Sequence, residues 1–297
     1  MPPGASESCP CSSSKPPLLT KSPSIHEDTL RAEVVRVGRL MHAHEFVDGA
    51  SGNISVRLGP ERILATPSGL PKGFLEPDQL IVVNLRGELV AGLPSLKPTS
   101  ELLMHLEAYR RRPDVNAVVH AHPITAVALS IAGISLAECV IPEAVVVLGL
   151  IPTTPYATPS SEENQRAISE VIVGHDALIL QYHGTLTVGR DVMEAYLRLE
   201  TLEHTAKIIA LAKLLGGAPA LPPEQVTKLI QTRKEWGFAR PGDEEEFCLA
   251  CGVCHLAGQH ASRPRAASPV WDDAALSAEE RLVREITSRV RRDLQNL

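Results

Sequence analysis

A short apolar run that ends in two histidines constrains this chain more than any other segment. It reads Val115-Asn-Ala-Val-Val-His-Ala-His122. Because side chains at positions i and i+2 of a strand point to the same face, His120 and His122 can direct both imidazoles at one point. Neutral imidazole is a common ligand of zinc and similar divalent metals. The pattern predicts a metal-binding strand end, with two solvated histidines or one satisfied core histidine as the alternative.

The composition is typical of a soluble globular protein, with 44% apolar and 22% charged residues among 297. The net charge of −6 gives no reason to expect a nucleic-acid partner. No apolar run is long enough to span a bilayer, and the first residues lack the pattern of a secretory signal. We therefore expect a cytoplasmic protein without a membrane partner, whose six cysteines are reduced thiols or metal ligands rather than disulfides.

Changes in composition along the chain predict four segments. Residues 1–23 are rich in Pro, Ser and Lys and predict a disordered arm. Residues 24–237 form the main domain, 238–269 a cysteine-containing linker, and 270–297 an amphipathic terminal helix.

Helical and strand patterns alternate through the main domain, but several strands join through short turns. This combination favours a three-layer α/β/α or mixed α+β domain over a purely parallel sheet. Helices are predicted at 24–47, 102–111, 123–132, 162–173, 191–215 and 223–236, and strands at 53–57, 62–66, 80–85, 88–90, 145–148 and 177–181.

A third histidine, His183, follows the predicted strand 177–181 and precedes a glycine. Three neutral histidines leave a fourth position on zinc open, which is the pattern of a catalytic site. Glu101 begins a helix shortly before the His120 strand and could transfer protons beside the metal. The alternative for Glu101 is a surface carboxylate that the helix dipole favours.

Two turns rich in glycine and hydroxyl residues could offer N–H and O–H groups to an anion. They are Ala50-Ser-Gly-Asn-Ile-Ser55 and Thr66-Pro-Ser-Gly69. Thr99 and Ser100 add two hydroxyls at a helix start, where either could be the N-cap. Each turn alone is ordinary, but together they suit a phosphate near a metal.

The chain resembles the class II aldolase/adducin family, and within it the L-fuculose-1-phosphate aldolase branch. The resemblance covers about residues 28–235. It rests on motifs that follow the family's order: Ser51-Gly-Asn-Ile-Ser-Val-Arg57, Thr66-Pro-Ser-Gly69, Pro98-Thr-Ser-Glu101, Arg112-Pro-Asp-Val-Asn-Ala-Val-Val-His-Ala-His122, Pro155-Tyr-Ala-Thr158 and His183-Gly184.

The resemblance implies an α/β/α class II aldolase fold with a mixed central sheet, usually assembled as a homotetramer. It implies zinc ligands at His120, His122 and His183, and a catalytic acid/base at Glu101. The implied substrate and phosphate contacts are Asn53, Ser68, Gly69, Thr99 and Ser100. Two positions depart from the family pattern. Ala50 stands where a hydroxyl residue is often found, and Ile141 lies near the expected place of a tyrosine proton donor.

The implied activity is zinc-dependent cleavage of a ketose 1-phosphate, such as L-fuculose 1-phosphate, to dihydroxyacetone phosphate and an aldehyde such as L-lactaldehyde. Pentulose-phosphate 4-epimerases, dehydratases and a decarboxylase of the family share the metal site. The epimerases commonly carry aspartate at the position of Glu101, so the glutamate favours an aldolase. Adducin-like members are non-catalytic interaction proteins that lack the three histidines.

Cys248, Cys251 and Cys254 lie outside the resemblance, and their two C-x-x-C spacings are typical of a zinc knuckle or an iron–sulfur site. A fourth ligand would have to come from elsewhere: His255, His260, Cys9 or Cys11. A thiol-rich loop without metal is the alternative.

In the terminal segment 270–297, Ser277 and Glu280 form a capping-box pattern ahead of an apolar stripe. A short amphipathic helix behind a flexible spacer resembles the encapsulation peptides of bacterial microcompartments. Shell proteins would then be partners, and the microcompartment lumen the location. The alternative is a helix that packs on its own tetramer.

Overall fold

The computed structural model describes residues 25–253. Eight strands in this range form one sheet: β1 (Asn53–Gly59), β2 (Arg62–Ala65), β3 (Ile81–Val83), β4 (Leu89–Ala91), β5 (Ala117–Ala121), β6 (Thr153–Thr154), β7 (Ala177–Leu180) and β8 (Gly184–Gly189). Their order across the sheet is β4-β3-β2-β1-β5-β8-β7-β6. All neighbours pair antiparallel except β6 and β7, which pair in parallel, so the sheet is mixed.

Helices cover both faces of the sheet. They are α1 (Ile25–Ala43), α2 (Leu102–Arg111), α3 (Ile124–Ile131), α4 (Pro142–Val147), α5 (Glu162–Ser169), α6 (Val171–Gly174), α7 (Val192–Leu214), α8 (Pro223–Glu235) and α9 (Asp243–Cys251). Two single-turn 3₁₀ helices lie between β2 and β3. None of the helices within residues 25–253 is both long and apolar enough to cross a membrane.

The central strand β5 is buried on both sides because its side chains alternate between two cores. Ala117, Val119 and Ala121 pack with α1 and α7, whereas Val118 packs with α2, α5 and α6. A strand that is covered on both faces needs apolar side chains at successive positions, which is why the residues before His120 are almost all apolar. The three-layer α/β/α prediction with a mixed sheet is confirmed.

The prediction of a strand at 145–148 is wrong, because these residues lie in and just after α4. Pro142 stands in the first turn of α4, where its missing N–H costs no hydrogen bond. Val145 packs against Val226 and Ile230 of α8. A short valine-rich run fits a buried helix as well as a strand, and here the proline and the neighbouring helix decide the outcome.

The helix predicted at 102–111 is confirmed with the same bounds, and the one predicted at 162–173 is divided into α5 and α6. The linker prediction does not account for α9, which lies inside that segment. Phe247 on α9 and Val253 after it are buried in the same core as α8.

The expectation of reduced cysteines is wrong for Cys139 and Cys251, which form a disulfide, and for Cys248, which is disulfide-bonded as well. Cys139 is fully buried ahead of α4, so the bond ties the end of α9 to the main domain. With their sulfurs in disulfide bonds, neither Cys248 nor Cys251 is a ligand for the second metal or iron–sulfur site. The other residues proposed for that site (Cys254, His255, His260, Cys9 and Cys11) and the terminal segment 270–297 lie outside the described residues.

A buried carboxylate joins three distant parts of the chain. Asp176, just before β7, contacts Arg112 at 3.0 Å, Arg198 of α7 at 3.1 Å, and the Nε of Arg240 at 3.0 Å. Asp176 is only 3% exposed. The residues leading into α9 are therefore fastened to the sheet by charge as well as by apolar packing.

Candidate metal centre

Three imidazoles and a carboxylate meet where β5 ends and the β7–β8 connection turns. One ligand atom from each of Glu101, His120, His122 and His183 can be chosen so that all four lie within 4.8 Å of one another. His120 stands at the penultimate position of β5, and His122 follows the strand. The structure thus brings together the three histidines and the glutamate that the sequence singled out.

The turn between β7 and β8 places His183. Leu180 and Gly184 pair across this turn, and the His183 N–H donates to the Leu180 carbonyl oxygen at 3.0 Å. Tyr182, inside the turn, has a φ of 60°, which a non-glycine residue adopts only where its surroundings impose it. Its N–H donates to the Ser130 hydroxyl oxygen at 3.1 Å, which holds the turn against α3.

The spacing of the polar atoms fits a tetrahedral zinc ion. The Nε2 atoms of His120 and His122 are 3.0 Å apart, and the Glu101 oxygens lie 3.4 Å from His120 Nε2 and 3.0 Å from His183 Nε2. Ligand atoms at about 2.0–2.1 Å from a tetrahedral zinc lie about 3.3 Å from one another. A zinc ion could therefore be accommodated with little movement of the side chains.

A hydrogen bond behind His120 sets its tautomer. Its Nδ1 lies 2.8 Å from the carbonyl oxygen of Thr185, which can only accept, so Nδ1 carries the proton. The Nε2 lone pair then faces the centre of the cluster, as metal-ligating histidines require.

Burial and electrostatics keep this site in a metal-binding state. Burial, followed by the neighbouring imidazoles His120 and His183, lowers the pKa of His122 to about 4, so His122 is neutral at neutral pH. Burial raises the pKa of Glu101, but the contacts with the His120 and His183 rings and the hydrogen bond from the Asn53 amide together outweigh burial and hold this pKa below its usual range. Glu101 is therefore a carboxylate.

The residues expected to contact phosphate lie on adjacent segments. The Ser68 N–H donates to the Lys97 carbonyl oxygen at 2.9 Å, which joins the turn at 66–69 to the segment before α2. Ser68, Gly69 and Ser100 are exposed, and Thr99 is half-buried. Glu101, rather than Thr99 or Ser100, is the N-cap of α2, and its N–H donates to the Thr99 hydroxyl.

Asn53 differs from the other four, since it is buried at the metal centre. Its Nδ2 donates to Glu101 Oε2 at 2.8 Å, so in this structure its amide holds the candidate acid/base. Asn53 pairs with His120 across β1 and β5, which explains how a turn residue reaches the metal ligands.

Lys72 is a site residue that the sequence analysis missed. Its ammonium donates to the carbonyl oxygens of Ala50 at 2.7 Å and Leu70 at 2.8 Å. Ala50 begins the first hydroxyl-rich turn, and Leu70 directly follows the second. Lys72 is 2% exposed, and burial lowers its pKa to about 8, against the opposing influence of Glu101. The signal in the sequence is a lysine three residues after Gly69, but nothing there indicates that it faces inward.

Residues 32–210 match the family model described as the class II aldolase and adducin N-terminal domain. The chain belongs to the class II aldolase and adducin family. An L-fuculose phosphate aldolase of Methanococcus maripaludis is 38% identical over 176 residues, which are 59% of this chain and 93% of the relative. A 3-oxo-tetronate 4-phosphate decarboxylase of Escherichia coli is 34% identical, over 65% of this chain and 90% of the relative.

Solved structures of class II aldolase relatives share the fold. YgbL of Escherichia coli superposes with a TM-score of 0.63 at 32% identity, over 69% of this chain and 99% of that one. An L-fuculose 1-phosphate aldolase gives a TM-score of 0.64 at 27% identity, over 69% of this chain and 96% of that one. Aldolases and decarboxylases are lyases, and this class II aldolase family member is accordingly a metal-dependent lyase. The expectation of an enzyme is confirmed.

Proposed function

We propose that the protein is a zinc-dependent aldolase that cleaves a ketose 1-phosphate of the L-fuculose 1-phosphate type into dihydroxyacetone phosphate and an aldehyde such as L-lactaldehyde. The observation that carries this proposal is the cluster of His120, His122 and His183 around the carboxylate of Glu101. An aldolase needs a Lewis acid and a proton-transfer group within reach of one substrate carbon.

In this mechanism a zinc ion bound by the three histidines would supply Lewis acidity at the substrate carbonyl. Glu101 accepts the proton of the hydroxyl group on the carbon that leaves as the aldehyde. The carbon–carbon bond then breaks, and its electron pair forms the enediolate of dihydroxyacetone phosphate. Glu101 returns a proton to the enediolate carbon, which balances the reaction. His120, His122 and His183 would hold the metal, and none of them takes part in the proton transfers.

A decarboxylase is the second candidate, because relatives at 34% identity carry that name. Loss of CO₂ from 3-oxo-tetronate 4-phosphate produces the same enediolate of dihydroxyacetone phosphate. The two reactions therefore share the phosphate end, the carbonyl and the protonation by Glu101, and they differ in whether an aldehyde or CO₂ leaves. Glu101 fits both, whereas a 4-epimerase of the family would commonly carry aspartate there.

The deciding experiment is a cleavage assay with zinc-loaded protein. L-fuculose 1-phosphate, other ketose 1-phosphates and 3-oxo-tetronate 4-phosphate are offered separately, and dihydroxyacetone phosphate, aldehyde and CO₂ are measured. The aldolase proposal expects dihydroxyacetone phosphate and aldehyde in equal amounts. CO₂ release without aldehyde would establish the decarboxylase instead, and no cleavage of any substrate would refute both.

Two controls tie the activity to the cluster. A chelator should abolish cleavage, and added zinc should restore it. Glu101→Gln keeps the shape of the side chain but cannot accept a proton, so we expect a loss of about 10²–10⁴-fold in kcat. Full activity in either sample would contradict the mechanism.

The substrate phosphate is proposed to bind the turns that carry Asn53, Ser68, Gly69, Thr99 and Ser100. The hydrogen bond from the Ser68 N–H to Lys97 and the ties of Lys72 to both turns support this assignment, because they gather the turns beside Glu101. Ala50 lacks a hydroxyl, but its carbonyl is where the buried ammonium of Lys72 is anchored.

The protein is also proposed to be a homotetramer. Large apolar side chains are exposed on the second half of α7, where Leu211 is 60% and Leu214 67% exposed. A patch of this kind on one helix is typical of an association surface. Light scattering coupled to size-exclusion chromatography would give the mass, and a monomer would contradict the proposal.

Encapsulation in a microcompartment remains a proposal for residues 270–297, which lie outside the described residues. Its support is the amphipathic sequence and the reactive aldehyde product that a shell could confine. Deletion of 270–297 should leave the cleavage activity intact and abolish co-assembly with shell proteins. Unchanged co-assembly would refute the proposal.

A further inference from the structure

A chain of buried hydrogen bonds runs from the protein interior to Glu101. Asn53 Nδ2 lies 2.8 Å from Glu101 Oε2, and Asn53 Oδ1 lies 2.6 Å from His105 Nε2. On its other side His105 Nδ1 lies 2.7 Å from the hydroxyl of Ser55, which lies 2.8 Å from the hydroxyl of Tyr109. His105 and Tyr109 follow Glu101 by one and two turns of α2, and both are buried.

The donor and acceptor in each link follow from the Glu101 end. A carboxylate only accepts, so the Asn53 amide must turn its NH₂ group toward Glu101 and its oxygen toward His105. An amide oxygen also only accepts, so His105 Nε2 carries a proton. In a neutral imidazole Nδ1 is then an acceptor, and the Ser55 hydroxyl donates a hydrogen bond to it. Tyr109 in turn donates to Ser55.

The environment of His105 favours the neutral ring that this assignment needs. Burial, together with the nearby His120, lowers the pKa of His105 to about 3. Every hydrogen bond in the chain is therefore satisfied in one arrangement, with all donors pointing toward Glu101. A reversed Asn53 amide would set its oxygen against the carboxylate and its NH₂ group against a protonated nitrogen.

We propose that His105 is a positioning residue for Glu101: its Nε2–H orients the Asn53 amide, and the amide holds the carboxylate in place for proton transfer. As metal ligands, His120 and His183 would direct their Nε2 lone pairs at the metal and could not donate to Glu101, whereas the Asn53 amide donates to it in either case. This role rests on the proposed function, in which Glu101 exchanges a proton with the substrate carbon.

The test uses full-length, zinc-loaded protein and two substitutions at one position. His105→Leu removes both polar atoms, whereas His105→Gln keeps one donor and one acceptor on a neutral side chain. The rate of hydrogen–deuterium exchange at the hydroxymethyl carbon of dihydroxyacetone phosphate, followed by NMR, reports proton transfer without dependence on the leaving group. Cleavage kcat and KM, zinc content and thermal stability are measured in parallel.

We expect His105→Leu to lower kcat and the exchange rate by about 100-fold, since small misplacements of a catalytic group have effects of that order. Zinc content should stay close to wild type, and His105→Gln should recover most of the loss. A wild-type exchange rate in His105→Leu would overturn the proposal. Equal losses in both variants would also overturn it. They would show that a hydrogen-bond donor at position 105 does not restore the rate, as expected if the histidine is merely structural.

Ser55→Ala provides a second variant, which decides the matter if His105→Leu does not fold. It removes the donor to Nδ1 and should lower the exchange rate by about tenfold, whereas an unchanged rate would overturn the proposal. Histidine labelled with ¹⁵N shows which ring nitrogen of His105 is protonated, and a proton on Nδ1 in the wild type would overturn it as well. If the wild type exchanges no hydrogen of dihydroxyacetone phosphate, the proposed function fails instead, and the tautomer still tests the hydrogen-bond chain.

Discussion

Gly184 lies so close to Ala121 that a Cβ on the glycine would overlap the Ala121 carbonyl oxygen. The same Cβ would stand 2.8 Å from Cδ2 of His122 and 3.0 Å from Cε1 of His120. The φ of Gly184 is not positive, so the glycine is needed for space rather than for its backbone freedom. Its lack of a side chain is what allows β8 to pass beside two of the three candidate zinc ligands.

Gly184→Ala should therefore weaken metal binding. The methyl group must displace the end of β5, which moves His120 and His122 relative to His183. We expect zinc affinity to fall by about 10–100-fold, as for other changes beside metal ligands. Competition with a chromogenic chelator measures this affinity. Gly59→Ala is the matched control, because a Cβ at Gly59 meets nothing within 4 Å. Equal affinities in the two variants would contradict the prediction.

Lys72→Met should raise KM for phosphorylated substrates, because the two turns lose the ammonium that joins Ala50 to Leu70 and the positive charge beside them. Hydrogen bonds from a charged group contribute about 1.5–3 kcal/mol each, so we expect KM to rise by at least about tenfold. Steady-state kinetics on a phosphorylated substrate measure the change. Lys228→Met, on the exposed surface of α8, should behave as wild type. An unchanged KM in Lys72→Met would remove Lys72 from the phosphate site.

The activity should also fall at alkaline pH through the same residue. The pKa of Lys72 is lowered to about 8, so its ammonium is present below pH 8 and is lost as the pH rises through that value. Since kcat/KM reports the free enzyme, it should decline above about pH 8 in the wild type. In Lys72→Met this decline should be absent over the same range. Parallel profiles for the two proteins would assign the decline to another group.

The parts of this site that the sequence predicted are those with a local pattern. Each of these patterns lies within a few residues of sequence: the apolar run before His120, the spacing of His120 and His122, and the glycine after His183. Lys72 and His105 are not, because their roles come from partners 22 residues away at Ala50 and 52 residues away at Asn53. Such contacts exist only once the sheet has formed.

Two further features could not be predicted for the same reason. The valine-rich segment at 145–148 is helical because Pro142 starts α4 and α8 covers it. The disulfide between Cys139 and Cys251 joins cysteines 112 residues apart, whereas the C-x-x-C spacing drew attention to neighbouring cysteines. Tertiary packing outweighs local sequence preference in both places.

Asp176→Asn should destabilise the protein strongly, since it removes the carboxylate that balances Arg112, Arg198 and Arg240. Breaking a buried ion pair from one side costs about 3–5 kcal/mol. Chemical denaturation measures the free energy of unfolding. Asp78→Asn, on an exposed carboxylate, should change it by less than about 0.5 kcal/mol. A loss no greater than that of Asp78→Asn would mean that the network contributes little.

The effect of Asp176 should depend on pH with a defined sign. Burial raises the pKa of Asp176, but the three arginines outweigh it and hold the pKa below its usual value. The stabilisation is therefore fully present above about pH 4, the usual aspartate value, and is lost as the pH falls through the lower pKa of the folded state. The difference in unfolding free energy between wild type and Asp176→Asn should be constant near neutral pH and shrink in acid.

Reduction of the bond between Cys139 and Cys251 should loosen α9 from the main domain. The bond closes a loop with a sequence separation of 112, and removing a native disulfide typically costs about 2–5 kcal/mol. Denaturation of the wild type should shift to lower denaturant when a reductant is added. The double variant Cys139→Ser, Cys251→Ser cannot form the bond, so it should have the lower stability even without reductant. If native protein prepared without reductant has both cysteines free on thiol labelling and peptide mapping, this bond does not form in solution. Other contacts then hold α9, among them the buried Phe247 and the ion pair between Arg233 and Asp243.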